Sequence, residues 1–386
     1  MITAVVGMTL GAASFVGAQA TTPTPTALSC LVMDLDSGRI LYGKNIDTRR
    51  YPASTTKIMT GLLLAENTQP SDILRAPSDI EKVTGSSLHM KPGEEITAED
   101  MLYGLMLRSA NDGAHTTALH VSGSVTAFAR KMNERAKEAG AKNTNFYTPH
   151  GLPHDKHMTT AYDMAMITRD ALKNPRFAEA VSTFQRTITR SINQEDTLLE
   201  TTNKTMEFDP SSRGVKTGWT NAAGRCFVGM NDRNGLRLLT VILKSKDWVA
   251  DQQNIIEWGY KTFKTRSIVP TGIALGTIPV KEGELTEVEF ATQNGLAALA
   301  SEYDIAKAKV FPITKELTAP IEEGQDLGIA KVIFPDGTTH EIKIQAKEAV
   351  PRKAIFLSSF GTPAGMMVLM MGLGSIAYKI RQRRIR

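Results

Sequence analysis

The sequence predicts an α/β chain of the α+β type, in which a large mixed domain precedes a small all-β domain and a membrane anchor. Blocks of helical and strand periodicity fill the chain up to about residue 266. Short alternating segments separated by Gly, Pro and polar turns follow up to residue 351. The 25 residues of Ala354–Tyr378 then contain no charge. A length of 386 residues is ample for this organisation.

The charge distribution argues against a nucleic-acid-binding protein. The chain has 45 Lys and Arg against 40 Asp and Glu, and five of the basic residues follow Tyr378 with no acid among them. The body before that tail is therefore balanced, 40 against 40. With 41% hydrophobic and 22% charged residues, the composition also excludes wholesale disorder.

The N-terminal segment is predicted to be a secretory signal peptide spanning residues 1–20. It carries no charge and ends in Ala18-Gln19-Ala20, which fits the small-residue cleavage pattern. A buried N-terminal helix is the alternative. Residues 21–26 alternate Thr and Pro and are interpreted as a stiff linker without a core to join.

The large domain, predicted over residues 21–266, begins with strands and continues with helices. Leu28–Tyr42 has the pattern of a strand, a turn and a strand. Pro52 is expected to start a helix, and Thr97 with Asp100 resembles a capping box ahead of another. Helical patterns dominate to about residue 185. The later elements are strands around Val215, Cys226–Met230 and Leu236–Leu243 and a helix over Val249–Thr262.

The small all-β domain is predicted over residues 267–351. Thr286–Phe290 and Lys331–Phe334 alternate in the manner of strands, and Asp336-Gly337 is a strong hairpin signal.

Residues 352–386 are predicted to anchor the chain in a membrane. As a helix, the uncharged segment would be roughly 37 Å long, which exceeds a hydrocarbon core of about 30 Å. The basic tail should then lie in the cytoplasm and the body outside the membrane. An interfacial insertion stays open because Gly361, Pro363, Gly372 and Gly374 weaken the helix.

Three short motifs could carry chemistry: Ser54-Thr55-Thr56-Lys57, Ser109-Ala110-Asn111 and Lys216-Thr217-Gly218. The first places a serine and a lysine on one face of a helix start, where a lysine of depressed pKa can accept the serine proton. Without the other motifs, this pair is more simply a capping serine and a solvated lysine.

The other two motifs also have ordinary alternatives. Ser109 and Asn111 lie in a short turn between helices, where they could relay a proton and hold a substrate amide, or form a plain polar turn. Lys216 and Thr217 lie on a predicted strand, where they offer a cation and a hydroxyl to a carboxylate, or a hairpin with a solvated lysine. Gly218 lets a ligand backbone approach the strand edge.

The order of these motifs is that of serine penicillin-recognising enzymes. Residues 51–60, 148–152, 214–220 and 223–226 resemble the D-alanyl-D-alanine carboxypeptidases, which are low-molecular-weight penicillin-binding proteins of the DacA type. The resemblance extends from about residue 27 to the end of the chain. It implies the penicillin-binding-protein and β-lactamase-like fold, with a five-stranded antiparallel sheet between helices and the site at the sheet edge.

The resemblance also implies a role for each site residue. By analogy Ser54 is the nucleophile, Lys57 its base and Ser109 the proton shuttle to the leaving D-alanine. The implied substrate-binding residues are Asn111 for the acyl peptide, Lys216 and Thr217 for the terminal carboxylate, Gly218 at the strand edge, and Trp219, whose N–H completes an oxyanion hole with that of Ser54. His150 matches a loop near the site and is carried over as a contributor without a defined role.

The expected activity is therefore that of a membrane-tethered serine D-Ala-D-Ala carboxypeptidase. It would trim stem pentapeptides of peptidoglycan, would be acylated by β-lactams at Ser54, and would need no cofactor and no metal. The alternatives are a β-lactamase-like hydrolase and a non-catalytic peptidoglycan-binding protein. A metal site at His150, His154 and His157 is disfavoured because these loop histidines lack the rest of a ligand set.

Overall fold

The computed structural model describes residues 8–9, 22–195 and 197–354 of the chain. The described residues form two compact units, one from residue 22 to residue 264 and one that combines Met8–Thr9 with residues 265–354. Apart from β1 (Met8–Thr9), the predicted signal peptide lies outside the described residues, and so does the predicted anchor beyond Ala354. Within the described ranges, no helix is both long and apolar enough to cross a bilayer.

The strands of the larger unit are β2 (Ser29–Asp34), β3 (Ile40–Lys44), β4 (Ile73–Arg75), β5 (Glu95–Thr97), β6 (Gln185–Thr187), β7 (Leu198–Glu200), β8 (Ser212–Thr220), β9 (Gly224–Arg233) and β10 (Leu236–Ser245). Its main sheet has five strands in the order β3-β2-β10-β9-β8, and every neighbouring pair is antiparallel. The five-stranded antiparallel sheet implied by the resemblance is thus confirmed, and β8 lies at its edge. This unit also has two small antiparallel two-stranded sheets, β4 with β5 and β6 with β7.

The helices of this unit are α1 (Lys57–Asn67), α2 (Ala98–Tyr103), α3 (Asn111–Ser122), α4 (Val125–Glu138), α5 (Ala161–Ala171), α6 (Pro175–Ser182), α7 (Thr205–Phe208) and α8 (Trp248–Thr262). Two details differ from the sequence prediction. Helix α1 is preceded by a 3-10 turn, Ala53–Thr56, and so begins at Lys57 rather than at Pro52. Helix α2 continues into a π-helical turn, Gly104–Arg108, which ends at Ser109.

The main sheet separates two layers of helices. Leu31, Leu239 and Val241 point into a core that also contains α1 and α5, whereas the alternate residues Val32 and Leu238 point towards α8. This alternation follows from the two-residue period of a strand. Helix α1 lies inside the first layer, and every residue of Lys57–Ala65 is buried.

The smaller unit consists of β11 (Lys264–Val269), β12 (Ala274–Lys281), β13 (Glu287–Thr292), β14 (Leu296–Ala300), α9 (Glu302–Lys307), β15 (Lys309–Ile313), β16 (Leu317–Thr318), β17 (Asp326–Ile333) and β18 (Thr339–Ala346). Its main sheet has the order β1-β15-β17-β18-β13-β12-β16, and β11 pairs with β14. The predicted turn at Asp336-Gly337 joins β17 to β18, and the Asp336 carboxylate accepts a hydrogen bond from the N–H of Thr338.

The residues after position 21 correct one expectation. The Thr-Pro segment is not a linker free of the core, because the Asp251 carboxylate accepts hydrogen bonds from the N–H and hydroxyl of Thr26. The carbonyls of Pro23 and Pro25 also accept bonds from Tyr42 and Lys44. The repetitive composition concealed these anchoring contacts, most of which use backbone N–H and carbonyl groups and do not depend on the kind of side chain.

The two cysteines are both free and buried. Cys30 lies on β2 and Cys226 on β9, and β10 separates these strands. Cys30 faces the α8 layer, while the Cys226 thiol lies within 3.6 Å of the Tyr51 carbonyl in the α1 layer.

Candidate active site

The backbone at Ser54 is strained on its N-terminal side. Ala53 has a φ of 50°, a left-handed conformation that is costly for a residue with a Cβ. The 3-10 turn that follows brings Ser54 and Lys57 onto one face, with Nζ of Lys57 3.1 Å from Oγ of Ser54. The predicted nucleophile and base are therefore in hydrogen-bond contact.

Lys57 is fully buried, and its Nζ contacts three oxygen atoms: Oγ of Ser54 at 3.1 Å, Oδ1 of Asn111 at 2.7 Å and the carbonyl of His150 at 2.9 Å. Burial, and secondarily the nearby charge of Lys216, hold the pKa of Lys57 well below the usual lysine value. A neutral amine has two N–H donors and one lone pair. Oδ1 of Asn111 and the carbonyl of His150 can only accept hydrogen bonds, so they take the two N–H donors. The lone pair then faces the hydroxyl of Ser54.

Asn111 begins helix α3 and is held by a loop across the site. Its Nδ2 donates to the carbonyl of Thr84 at 2.7 Å, and its backbone N–H donates to the carbonyl of Ser86 at 2.7 Å. Gly85, with a φ of 93°, makes this approach feasible, since a Cβ there would lie 2.5 Å from the Asn111 amide nitrogen. Asn111 thus orients Lys57 directly, a contact that the sequence did not suggest.

Asp112 fastens the same loop. Its buried carboxylate accepts hydrogen bonds from the N–H groups of Leu88 and Met90 and from the hydroxyl of Ser87. A carboxylate that accepts several such bonds is a strong structural tie. The loop that carries Ser86 is therefore fixed to the start of α3, next to Asn111.

The loop of residues 148–151 reaches Lys57 through a backbone carbonyl, not through an imidazole. Oγ1 of Thr60 donates to the carbonyl of Pro149 at 2.5 Å, and a Cβ on Gly151 would lie 1.9 Å from the carbonyl oxygen of Ala53. The next carbonyl, that of His150, then accepts from Lys57. The structure brings His150 to the site, but its side chain bonds its own loop, at the N–H of Leu152.

His157 is a buried tie that sequence reasoning did not place at the site. Its Nδ1 accepts from the N–H groups of Tyr147 and Thr148, so Nε2 carries the proton and donates to Thr56 Oγ1 at 2.8 Å. Burial lowers the pKa of His157 to about 3, which keeps the ring neutral. The His150 loop is thereby fixed to the turn that carries Ser54.

The three loop histidines do not converge on one point. His150 and His154 each accept a backbone N–H through Nδ1, as His157 does, and the ring of His154 stacks on Tyr147 at 3.6 Å. Among the described residues, no three His, Cys, Asp or Glu side chains form a group that could hold a metal ion.

The edge strand β8 packs directly against the Ser54 turn at Gly218. A Cβ on Gly218 would lie 2.8 Å from the backbone nitrogen of Ser54 and 3.1 Å from that of Thr55. The following residue, Trp219, is 63% exposed. The absence of a side chain at Gly218 thus brings the two segments whose N–H groups are the predicted oxyanion hole into close contact.

Lys216 and Thr217 point to opposite faces of β8. Lys216 is paired with Val228, which belongs to the α1 core, and it is 1% exposed, so burial lowers its pKa to about 7. Thr217 is paired with Phe227 on the α8 face, and its Oγ1 lies 2.6 Å from that of Thr202.

Ser109 is positioned by a second strained backbone. It ends the π-helical turn with a φ of 61° and is almost buried, yet it faces the cavity. Within residues 22–195 and 197–354, its hydroxyl has no hydrogen-bond partner. A rotating hydroxyl at this place is available to a ligand, as a proton relay requires.

A cavity of about 300 Å³ joins these residues. It is lined by Ser54, Ser86, Ser109, Thr202, Lys204, Thr217, Gly218, Trp219, Arg225 and Trp248. The charged lining residues, Lys204 and Arg225, are both cations, which suits an anionic ligand. Sequence reasoning assigned no role to Ser86, Thr202, Lys204, Arg225 or Trp248. Of these residues, only Arg225 could have been found from the sequence. The strand that follows β8 runs back antiparallel to it and so places Arg225 opposite Trp219.

Comparison with known proteins agrees with this site. A family described as D-alanyl-D-alanine carboxypeptidase matches residues 17–247. The chain is 31% identical over 343 residues to D-alanyl-D-alanine carboxypeptidase DacF of Bacillus subtilis, covering 86% of this chain and 87% of that protein. This chain belongs to the D-alanyl-D-alanine carboxypeptidase family. The carboxypeptidase domain is followed at residues 263–352 by a match to the penicillin-binding protein 5 C-terminal domain.

Solved structures extend the likeness of this carboxypeptidase. Penicillin-binding protein 5 from Haemophilus influenzae superposes with a TM-score of 0.65 at 25% identity, covering 86% of this chain and all of that one. The Streptomyces K15 DD-transpeptidase gives a TM-score of 0.60 at 29% identity over 63% of this chain and all of that one. The fold is therefore that of the penicillin-binding-protein transpeptidases with a C-terminal β domain.

Proposed function

We propose that this carboxypeptidase removes the terminal D-alanine from peptidoglycan stem pentapeptides through an acyl-enzyme at Ser54. The contact between Lys57 and Ser54 carries the proposal. A buried amine whose other two partners can only accept hydrogen bonds is arranged to take the serine proton. Family membership supplies the reaction class, and this geometry supports the assignment of Ser54 and Lys57 as nucleophile and base.

The proposed reaction proceeds in two halves. Oγ of Ser54 attacks the carbonyl carbon between the two D-alanines while Lys57 takes its proton, and the N–H groups of Ser54 and Trp219 stabilise the oxyanion. Ser109 gives its proton to the leaving nitrogen and takes in return the proton held by Lys57, the C–N bond breaks, and D-alanine departs. Water then attacks the ester and gives a proton to the again neutral Lys57, which passes it to Oγ of Ser54 as the C–O bond breaks and the shortened peptide leaves.

Substrate binding uses the remaining predicted residues. Lys216 and Thr217 are proposed to bind the terminal carboxylate, Gly218 to admit the peptide to the strand edge, and Asn111 to contribute to the acyl side. A β-lactam has a carboxylate and a strained amide at similar positions, so it would acylate Ser54 and leave slowly. Removing the terminal D-alanine would remove donors for cross-linking and so regulate the wall.

We further propose the placement expected from the sequence: a signal peptide at residues 1–20, a catalytic domain at 21–266, a β domain at 267–351 and a membrane anchor at 352–386. The uncharged segment and its basic tail support a body on the outer face of the cell membrane. The β domain would then be a spacer or an interaction module.

The lining of the cavity disfavours a β-lactamase. Class A enzymes use a glutamate-positioned water for fast deacylation. None of the residues that line the cavity in the described chain is a carboxylate. A long-lived penicilloyl ester is therefore expected. A non-catalytic wall-binding protein would not require a buried lysine at hydrogen-bond distance from a serine.

The test is D-alanine release from a stem pentapeptide by the full chain in detergent, with Ser54→Ala as the control. Release by the parent and none by the variant, together with loss of labelling by a fluorescent penicillin, would support the reaction and the nucleophile. A folded parent that binds the peptide without releasing D-alanine would contradict it and favour the wall-binding protein.

A further inference from the structure

Arg225 is a cation on the same face of the sheet as Thr217. The register pairs Trp219 with Arg225 and Thr217 with Phe227, so these four side chains share one face of strands β8 and β9. Lys216 lies on the opposite face, towards the α1 core. A carboxylate that contacts the hydroxyl of Thr217 would therefore have the guanidinium of Arg225 on its own side of the strand.

The guanidinium is oriented and has donors to spare. Nη1 of Arg225 donates to the carbonyl of Lys246 at 2.8 Å, and the side chain lines the cavity. Within the part of the chain that the structure describes, no carboxylate pairs with it. A guanidinium has five N–H donors in a planar fork that fits the two oxygens of a carboxylate.

Lys216 is less suited to form the ion pair alone. Its Nζ is buried and donates to the carbonyl of Thr217 at 3.2 Å. Because burial lowers its pKa to about 7, a large fraction of Lys216 is neutral at physiological pH. An arginine stays charged throughout that range.

We propose that Arg225 is a substrate-binding residue that pairs with the terminal carboxylate of the substrate, together with the hydroxyl of Thr217. This rests on the proposed carboxypeptidase function. Lys216, in the fraction that is protonated, adds a positive charge from the Ser54 side of the strand. Lys204, on the segment next to Thr202, is a second cation of the same cavity, but an ammonium lacks the bidentate fork.

The ion pair between Arg225 and the substrate carboxylate is tested by comparing two enzymes on two substrates. The full chain and its Arg225→Gln variant are compared on diacetyl-L-lysyl-D-alanyl-D-alanine and on the same peptide with a C-terminal carboxamide. We expect Arg225→Gln to lower kcat/KM for the acid by about 10- to 100-fold, the value of a charge-assisted hydrogen bond, and to change the amide little. Arg225→Lys should restore part of the loss.

The matched control is Arg213→Gln, which removes an exposed arginine of the neighbouring strand β8 that also donates to backbone carbonyls. It should leave both substrates unchanged. An equal loss on the acid and the amide in Arg225→Gln would overturn the proposal, because it would show a structural role. A loss confined to the acid in Lys216→Met, with Arg225→Gln silent, would overturn it in favour of Lys216.

A second pair of ligands separates this proposal from the proposed function. Acylation of Ser54 is timed with benzylpenicillin and with its methyl ester. If the parent releases no D-alanine, the carboxypeptidase function fails. Even then, a slower reaction of Arg225→Gln with the acid only would support the carboxylate contact, and an equal effect on the ester would overturn it.

Discussion

The two walls of the cleft are built on different principles. The nucleophile wall, formed by Ser54, Lys57 and Asn111, has a buried lysine whose hydrogen-bonding capacity is used. The strand wall, formed by Thr217, Trp219 and Arg225, is partly or largely exposed, and its guanidinium has donors without partners in the described chain. The nucleophile wall therefore has its hydrogen bonds in place without a ligand, whereas the strand wall keeps donors that a ligand can use.

This difference follows from the chemistry each wall performs. A proton acceptor works when its geometry and pKa are set before the substrate arrives, which requires burial and fixed neighbours. A carboxylate-binding surface must keep hydrogen-bond donors that no protein group occupies. Water has to solvate these donors until the ligand displaces it, so the surface must be exposed. The comparison predicts that substitutions on the nucleophile wall affect the chemical step most, while those on the strand wall affect the recognition of charge.

The largest effect is expected from Lys57→Arg. The arginine keeps the positive charge but cannot become a neutral acceptor, so the rate of Ser54 acylation should fall by about 10³- to 10⁴-fold. The measurement is the rate of labelling by a fluorescent penicillin, beside D-alanine release. Lys137→Met, at an exposed lysine of α4, is the control and should label at the parent rate. Fast labelling of a folded Lys57→Arg protein would exclude Lys57 as the base.

Gly218→Ala tests the contact between the two walls. The added Cβ would lie 2.8 Å from the Ser54 nitrogen, so the strand and the turn must separate and the oxyanion hole is disturbed. We expect kcat to fall by about 10²- to 10³-fold, as when one oxyanion donor is removed. Gly259→Ala on α8 is the control, because its Cβ would meet a flexible methyl of Leu238 at 3.1 Å and make an ordinary contact with Val32 at 3.7 Å. Unchanged kcat in a folded Gly218→Ala protein would move the oxyanion hole elsewhere.

The sequence predicted the elements better than their contacts. The strands around residues 31 and 40, the helix that follows the turn of Ser109 and Asn111, and the strands β8 to β10 were expected from periodicity and turn residues, which are local properties. The motif order likewise predicted that Ser54 and Lys57 act together, and the 3.1 Å contact agrees with that expectation.

The support around the motifs could not be predicted, because it depends on backbone atoms of distant loops. The carbonyls of Thr84, Ser86 and His150 contact Asn111 and Lys57. Any residue supplies a carbonyl, so its partner leaves no trace in a single sequence. The same reason explains why the Thr-Pro segment seemed unattached and why the main chain of His150, not its ring, reaches Lys57.

Lys216→Met should separate activity from stability on the strand that joins the walls. The pKa of Lys216 is about 7 in the folded chain and 10.5 in the unfolded chain. Between these two pH values the amine is protonated in the unfolded chain and mostly neutral in the folded one. The stability of the parent therefore rises with pH from about 7 to 10.5, and the variant should lose part of this slope. At pH 7 its Tm should equal or exceed that of the parent, while kcat/KM falls by about 10- to 100-fold.

Thermal melts from pH 7 to pH 10 together with D-alanine release check this pair of effects. Lys57→Met is the contrasting variant, because it leaves Asn111 Oδ1 and the His150 carbonyl without their donor and should lower Tm at pH 7. A large fall in the Tm of Lys216→Met would show instead that this amine stabilises the fold.

His157→Asn is expected to have the smallest effect on activity and a specific effect on acid stability. The ring has a pKa of about 3 when folded and 6.5 when unfolded, so between these values only the unfolded chain takes the proton. Stability therefore falls as pH drops from 6.5 towards 3, by about 2 kcal/mol at pH 5 for this one group. Burial also lowers the pKa of His150 to about 3, so the variant should lose only part of the slope.

Urea unfolding at pH 7 and pH 5 measures that slope, with His120→Asn at an exposed position of α3 as the control. Asparagine at position 157 can keep an acceptor towards the N–H groups of Tyr147 and Thr148, whereas the bond to Thr56 is lost. A parent and a variant with the same loss between the two pH values would show that acid stability is set by other groups. A smaller loss of stability in the variant would show that protonation of His157 weakens the nucleophile wall, and that this effect arises away from the strand wall.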